Sequence, residues 1–402
     1  MNDDTVIWGT RAMGNIAYYY YKDKCNVLCY VDNHKQKWGE KLNGLDICSP
    51  EILHNMNVRV VLAMKHGIED IQKQLREEFN IHTFTVFQVN EELHSANSNL
   101  DIHEEVREDT CIVSFSGGLG NQMFQYALLR NLDVLGKNVM ADLEKYARIG
   151  IMEFQLTDVF ENIRLKLCTE EQKNEVIKKN MEVKNKPQKF IRYIDSLKYG
   201  GTRKADLSLL DITSGVIDGL HQTYRFAERI RDILLDDFRF NSLHEKKLSI
   251  LREEMMNEKA VSIHIRRGDY LLEKNKWRYG EICTREYYIN AINYIKEKVG
   301  HCIFYFFSND IEWVEQNYKM EDAVYVEKKM FEDYKDWYDM YLMSICEHNI
   351  IANSTFSWWG AWLNQNENKI VIAPKNWINM LDCEDICPDE WIRLSEQGEI
   401  MR

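Results

Sequence analysis

The chain has 402 residues, 45% hydrophobic and 29% charged, the balance of a globular protein of two or three domains. Four prolines and 19 glycines exclude collagen-like and low-complexity order, and a net charge of −13 argues against generic nucleic-acid binding. No apolar run reaches the roughly 18 residues that cross a bilayer, and the first residues lack the basic start and long apolar stretch of a signal peptide.

The first block is expected over residues 1–100. Thr5-Val-Ile-Trp8 reads as a strand, followed by a Gly9 to Gly14 turn and a helical stretch. Asn26 to Val31 is a second strand ending at Asp32, and Val58 to Ala63 a third. Strands alternating with helical patterns imply a parallel sheet and a small Rossmann-like module. Position 11 is Arg, so the turn departs from Gly-x-Gly-x-x-Gly, and an accessory or degenerate module is expected rather than a dinucleotide site. An acidic joint follows, with Asp101, Glu104, Glu105, Glu108 and Asp109 beside Arg107.

The second block is expected over 110–240. Cys111 to Phe115 reads as a strand, Ser116-Gly-Gly-Leu-Gly-Asn-Gln122 as a glycine-rich turn into a helix, and Lys137 to Ala141 as another strand. Glycines admit close approach of a ligand, and the following helix offers free N–H groups. No Lys-Ser/Thr follows, so the segment is not a P-loop. Residues 164–204 hold twelve Lys/Arg against five acids, which reads either as a solvated insertion or as a surface for an anionic glycan or membrane.

The third block, 241–402, alternates most cleanly. Ala260 to Ile265, Cys302 to Phe307, Ala323 to Val326, Asn349 to Ala352 and Lys369 to Ala373 are near-continuous apolar runs suited to strands covered on both faces. In open parallel sheets ligands sit beyond the carboxyl ends of strands, so the residues after each run matter. His264 precedes Arg266, Arg267, Gly268 and Asp269. Successive side chains point to opposite faces, so one arginine is expected in the cleft, with its neighbour bracing the scaffold. A guanidinium grips phosphate bidentately and keeps its charge. Ser308-Asn309-Asp310 follows the next strand, as a helix cap or a ligand contact. Asn353-Ser-Thr-Phe-Ser357 opens a helix, as a pyrophosphate cradle would. Trp358, Trp359 and Trp362 read as core. The ten cysteines are scattered, mostly in apolar runs, and are expected as buried free thiols. Cys25/Cys29 and Cys383/Cys387 lack a His at zinc-ligand spacing. Arginines plus helix N-termini, with no Asp-x-Asp and no metal motif, describe a diphosphate site.

Four ordered segments, Ser116 to Ala127, His264 to Tyr270, Phe307 to Val314 and Asn349 to Asn364, resemble the bacterial alpha-1,2-fucosyltransferases in order and spacing. Gly219 to Phe226 resembles a weaker motif of that family. The resemblance spans roughly 110–380. It implies an α/β fold with a GT-B-like pair of Rossmann-like domains, the first block being additional. It also implies GDP-fucose as donor, a glycan acceptor, transfer with inversion to a hydroxyl such as the 2-OH of a galactoside, and no cofactor or required metal. The family's His-x-Arg-Arg motif carries over onto His264, Arg266 and Arg267, with the arginines at the donor diphosphate. Together with the reading of the strand ends, the expected catalytic residues are Arg266, Asp269 and His264. The expected donor-binding residues are Arg267, Gly118, Gly120, Asn121, Gln122, Ser308, Asn309, Asp310, Asn353, Ser354, Thr355 and Ser357. The general base stays open between Asp269, His264, water and the diphosphate. A cytoplasmic protein is expected, peripheral at the inner membrane if residues 164–204 meet lipid.

Overall fold

The computed structural model describes residues 4–10, 14, 17–18, 21–22, 25–64, 68–87, 106–149, 153–182, 201–202, 207–241, 245–379 and 381–401. Residues 183–200 and 203–204 of the basic stretch and residues 101–105 of the acidic joint lie outside them.

Three sheets follow one another along the chain. The first contains β1 (Asp4–Trp8), β2 (Asn26–Val31), β3 (Lys41–Leu42), β4 (Leu45–Cys48), β5 (Arg59–Leu62) and, after helix α1 (Ile68–Glu77), β6 (Phe84–Val86). Their spatial order is β3-β4-β2-β1-β5-β6, and only β3 and β4 run antiparallel. Asn43 (φ 52°) and Gly44 (φ 79°) close that hairpin, two successive left-handed residues of the kind a tight hairpin demands.

The second sheet is small: β7 (Thr110–Ser114), β8 (Asn138–Asp142) and, beyond the two-residue β9 (Gly201–Thr202), β10 (Gly215–Asp218), in parallel order β10-β7-β8. Helix α2 (Leu119–Val134) connects β7 to β8, and helix α3 (Glu170–Glu182) lies beyond β8. The third sheet contains β11 (Ala260–Ile265), β12 (Ile303–Ser308), β13 (Ala323–Tyr325), β14 (His348–Ile350), β15 (Val371–Pro374), β17 (Ile392–Leu394) and β18 (Ile400–Met401). Its helices include α4 (Arg285–Val299), α5 (Ile311–Asn317), α6 (Trp337–Ile345) and α7 (Thr355–Leu363). The short β16 (Leu381–Asp382) pairs with β9, tying the second and third blocks together.

The third sheet reads β13-β12-β11-β14-β15-β17-β18, parallel except at its last strand. In order of appearance this is 3-2-1-4-5-6-7, so the chain reverses direction between β11 and β14. Every residue of β11 is buried, as its unbroken Ala-Val-Ser-Ile-His-Ile run requires of a strand with helices on both faces. The α/β, parallel-sheet expectation therefore holds.

The first sheet has the same winding, with its reversal between β1 and β5. There the first turn packs directly on the end of the neighbouring strand. Gly9 (φ 120°) lies so close to the Ala63 carbonyl that a Cβ would stand 2.4 Å from its oxygen. The acid at the end of β2 is also engaged. Asp32 accepts from Thr10 Oγ1, the His34 amide (2.9 Å) and Lys37 Nζ (3.0 Å), and contacts His34 Nδ1 (2.7 Å). Burial alone would raise its pKa, but the Thr10 hydroxyl, the His34 amide and Lys37 more than offset this and hold it at about 2.

All ten cysteines are free thiols. Within the basic stretch, Lys173 bonds Asp142 (2.7 Å) and Glu144 (2.9 Å), and Lys179 donates to the Val106 carbonyl (2.8 Å), so these two cations serve the fold. No helix among the described residues is long and apolar enough to cross a membrane.

Candidate active site at the reversal of the third sheet

Between the ends of β11 and β14 the expected motifs meet. Arg266 Nη2 bonds Asp269 Oδ1 at 2.7 Å, with its guanidinium 5.6 Å from the Tyr270 ring centre. Its side chain keeps 33% of its surface in solvent. Arg267 is pinned: Nε bonds Asp310 Oδ2 at 2.8 Å, the guanidinium lies 3.4 Å from the Trp313 ring centre, and exposure drops to 19%. Its backbone N–H donates to Asn309 Oδ1 (2.9 Å), while Ser308 Oγ accepts from the Asp310 amide (3.1 Å). Gly268 (φ 54°) packs so tightly on Asn309 that a Cβ would fall 2.1 Å from Nδ2. The end of β12 thus braces one arginine and leaves its neighbour the freer.

The other half of the site is two helix N-termini. Helix α7 begins at Thr355 after the N-cap Ser354, whose side chain makes no capping bond, and α2 begins at Leu119 after Gly118. First-turn N–H groups have no intrahelical partner and favour anions. These termini touch: a Cβ on Gly120 would lie 2.6 Å from the carbonyl carbon of Thr355. What Gly120 admits is therefore the backbone of α7. Behind the contact, Trp359 Nε1 donates to the Gly120 carbonyl (3.0 Å), and Phe124 packs on Trp358 and Trp359 at 4.6 and 5.0 Å between ring centres. Trp358, Trp359 and Trp362 are almost wholly buried, as core residues are.

Several expected ligand groups hold backbone instead. Gln122 Nε2 donates to the carbonyls of Gly117 (3.0 Å) and Glu153 (2.9 Å), and its Oε1 accepts from the Gln155 amide (2.8 Å). Asn353 Nδ2 donates to the carbonyls of Tyr279 and Trp377, each at 3.2 Å. Ser357 is fully buried and donates to the Ser354 carbonyl (3.3 Å). Asn121 accepts from Gln222 Nε2 at 2.6 Å, which links the glycine turn to the weaker motif.

His264 lies beneath the arginines with 4% of its surface exposed, and its Nδ1 has no hydrogen-bond partner. Burial, assisted by the Arg266 charge, pushes its pKa from 6.5 down to about 3, so the ring is neutral across the physiological range. A buried neutral histidine favours unfolding once the unfolded chain can take up a proton. Its contribution to stability is complete above about pH 6.5 and is lost progressively as the pH falls toward 3. Denaturant melts between pH 7 and 4 should therefore show an acid-induced loss of stability that is smaller in His264→Gln; identical slopes would contradict this.

Four neighbours went unremarked as site residues. Tyr270 OH donates to the Asn353 carbonyl (3.0 Å), and its ring stacks on Tyr279 at 4.8 Å. Tyr288 OH donates to the His264 carbonyl at 3.0 Å. Tyr270 and Trp313, inside the second and third quoted segments, carried the available signal; Tyr279 and Tyr288 carried none. Among the described residues, no three His, Cys, Asp or Glu side chains are grouped to hold a metal ion.

Residues 71–395 match glycosyl transferase family 11, and residues 1–86 match the family described as C2185-like, N-terminal. The chain is 32% identical over 314 residues to the alpha-1,2-colitosyltransferase of Escherichia coli, covering 71% of this chain and 99% of that one. The O-antigen biosynthesis glycosyltransferase WbnK of E. coli is 31% identical, with 69% and 98% covered. Galactoside alpha-(1,2)-fucosyltransferase 1 of Lagothrix lagotricha is 26% identical over 155 residues, covering 37% of this chain and 42% of that one. Among solved structures, fucosyltransferase NodZ from Bradyrhizobium aligns over 63% of this chain and 93% of its own, at 14% identity and a TM-score of 0.40.

Proposed function

We propose, on the premise that this chain belongs to glycosyl transferase family 11, that it moves L-fucose from GDP-fucose to the 2-hydroxyl of a galactoside, with inversion at the sugar carbon. The observation that supports this most directly is the contact between the N-termini of α2 and α7, together with Arg266, the less buried of the two arginines, at the end of β11 beside the reversal of the third sheet.

The chemical problem is departure of GDP from the anomeric carbon. As that bond breaks, negative charge grows on the diphosphate. Arg266 stabilises it from one side, and the first-turn amides of α7 and α2 from the other. Fixed donors aimed at developing charge in a dry site contribute about 3–4 kcal/mol each. Arg267, held by Asp310 and Trp313, keeps the turn in place and adds positive potential. His264, neutral and unpartnered at Nδ1, fills the floor without competing for the anion. The acceptor hydroxyl attacks from the opposite face as the carbon gains oxocarbenium character, so its proton becomes easier to remove. Asp269 positions the Arg266 guanidinium through its bond to it, and the acceptor proton passes to Asp269, water or the departing diphosphate. General-base assistance is worth about 10² to 10⁴ in rate.

Incubation with GDP-fucose and a β-galactoside should release GDP and yield a glycan heavier by one fucose. Because one relative is named for colitose, GDP-colitose, whose sugar lacks one ring hydroxyl of fucose, is the second donor to run. Turnover should persist in EDTA, since guanidinium and amide groups carry the role a metal would. Activity lost in EDTA and restored by magnesium or manganese would overturn the arginine clamp, and transfer from neither donor would overturn the reading.

A further inference from the structure

The transfer reading leaves the first sheet without a task, and its Asp32 is engaged internally. The loops beyond its strands have a different setting. Residues 34–44 after β2, 153–163 after β8 and 333–337 after β13 line one groove of about 1050 Å³. Each segment lies beyond the carboxyl end of a strand in a different sheet. The third sets out two strands from β11, a lateral step of about 10 Å. The second is fastened to the glycine turn, because Gln122 bonds Gly117 on one side and Glu153 and Gln155 on the other. One wall of the groove is thus anchored beside the glycine turn, and the first sheet forms another.

Size and lining narrow the occupant. Pockets for single drug-sized ligands run to about 1,000 Å³, so this groove has room for several linked sugar rings. Among the described residues, four lysines and six acids line it, which gives those residues no surplus positive charge for an anionic chain. Exposed Gln36 and partly exposed Glu40 on the first-sheet side face Glu161, Asp333 and half-buried Tyr334 across the groove. Carboxylates and amides that bond hydroxyls, beside an aromatic ring for an apolar sugar face, suit an uncharged carbohydrate.

The geometry points to this groove as the seat of the distal sugars of an uncharged oligosaccharide acceptor, with the first sheet setting which acceptor is used. This rests on the transfer reading and adds to it the place and chemistry of the acceptor beyond its reacting galactose.

The test compares kcat/KM for a galactose-terminated neutral tetrasaccharide with that for methyl β-galactoside, using GDP-fucose or GDP-colitose, whichever supports turnover. In Gln36→Trp, which narrows the groove from the first-sheet side, the ratio should fall by about tenfold or more. Asp333→Ala on the facing wall should lower it severalfold, with thermal unfolding unchanged in both. A ratio that stays at the wild-type value in both variants overturns the inference. Transfer to neither acceptor would count against the transfer reading alone. Saturation-transfer NMR with the same tetrasaccharide then decides the groove: signal from its distal sugars, lost in Gln36→Trp, supports it, and no signal or an unchanged one overturns it.

Discussion

Arg266→Ala should reduce glycosyl transfer by about 10² to 10³ while leaving thermal unfolding nearly where it was. The guanidinium is one-third exposed and its structural bond is to a half-exposed carboxylate, a pairing that contributes little to stability. Its value lies in a charge placed where the diphosphate departs. Arg267→Ala should behave differently. That side chain packs on Trp313 at 3.4 Å and bonds Asp310, so its loss should lower stability by about 1–2 kcal/mol as well as activity. Parallel melts and initial rates separate the two roles. Near-wild-type turnover in both variants would remove the arginines from the site.

Gly120→Ala should damage stability and activity together. The added methyl would stand 2.6 Å from the Thr355 carbonyl carbon and 2.7 Å from its oxygen, distances Cβ atoms essentially never show, so α2 and α7 must part. Overpacking of this kind costs about 1–3 kcal/mol, and a shift of about 1 Å at a reacting centre can cost about a hundredfold in rate. Gly118→Ala is the control, since nothing lies within 4 Å of the Cβ it would gain. It should leave unfolding almost unchanged and, if the donor approaches this turn closely, raise the donor KM. A Gly120→Ala protein with wild-type stability and turnover would contradict the packing described between these helices.

The legible parts of the fold were those whose signal is local. β11 could be read to its last residue because a strand buried on both faces is a continuous apolar run, and Ala260 to Ile265 is one. β10 was not seen, since Gly-Val-Ile-Asp is too short to show any period and its strand character comes from pairing with β7, a hundred residues earlier. The same division holds in the site. Adjacent arginines at a strand end announced themselves, but which one braces and which one faces outward depends on Asp310 and Trp313, supplied by another strand and helix. Glycine and amide residues misdirect more easily. Gly120, Gln122 and Asn353 have the composition of a ligand cradle, yet their visible partners are the backbone of Thr355, of Gly117 and Glu153, and of Tyr279 and Trp377. The groove shared by three sheets had no sequence signature, because no single stretch contains it.

The contact between α2 and α7 also bears on how the enzyme moves. Many two-domain catalysts open and shut about a hinge, so substrate capture is limited by a rocking motion. Here the two halves are joined at the cleft by backbone against backbone at Gly120, sealed by Trp358, Trp359 and Phe124, and stitched again where β9 pairs with β16. A seam packed like an interior has few soft degrees of freedom. Rocking one half against the other would have to part these packed contacts and the pairing of β9 with β16.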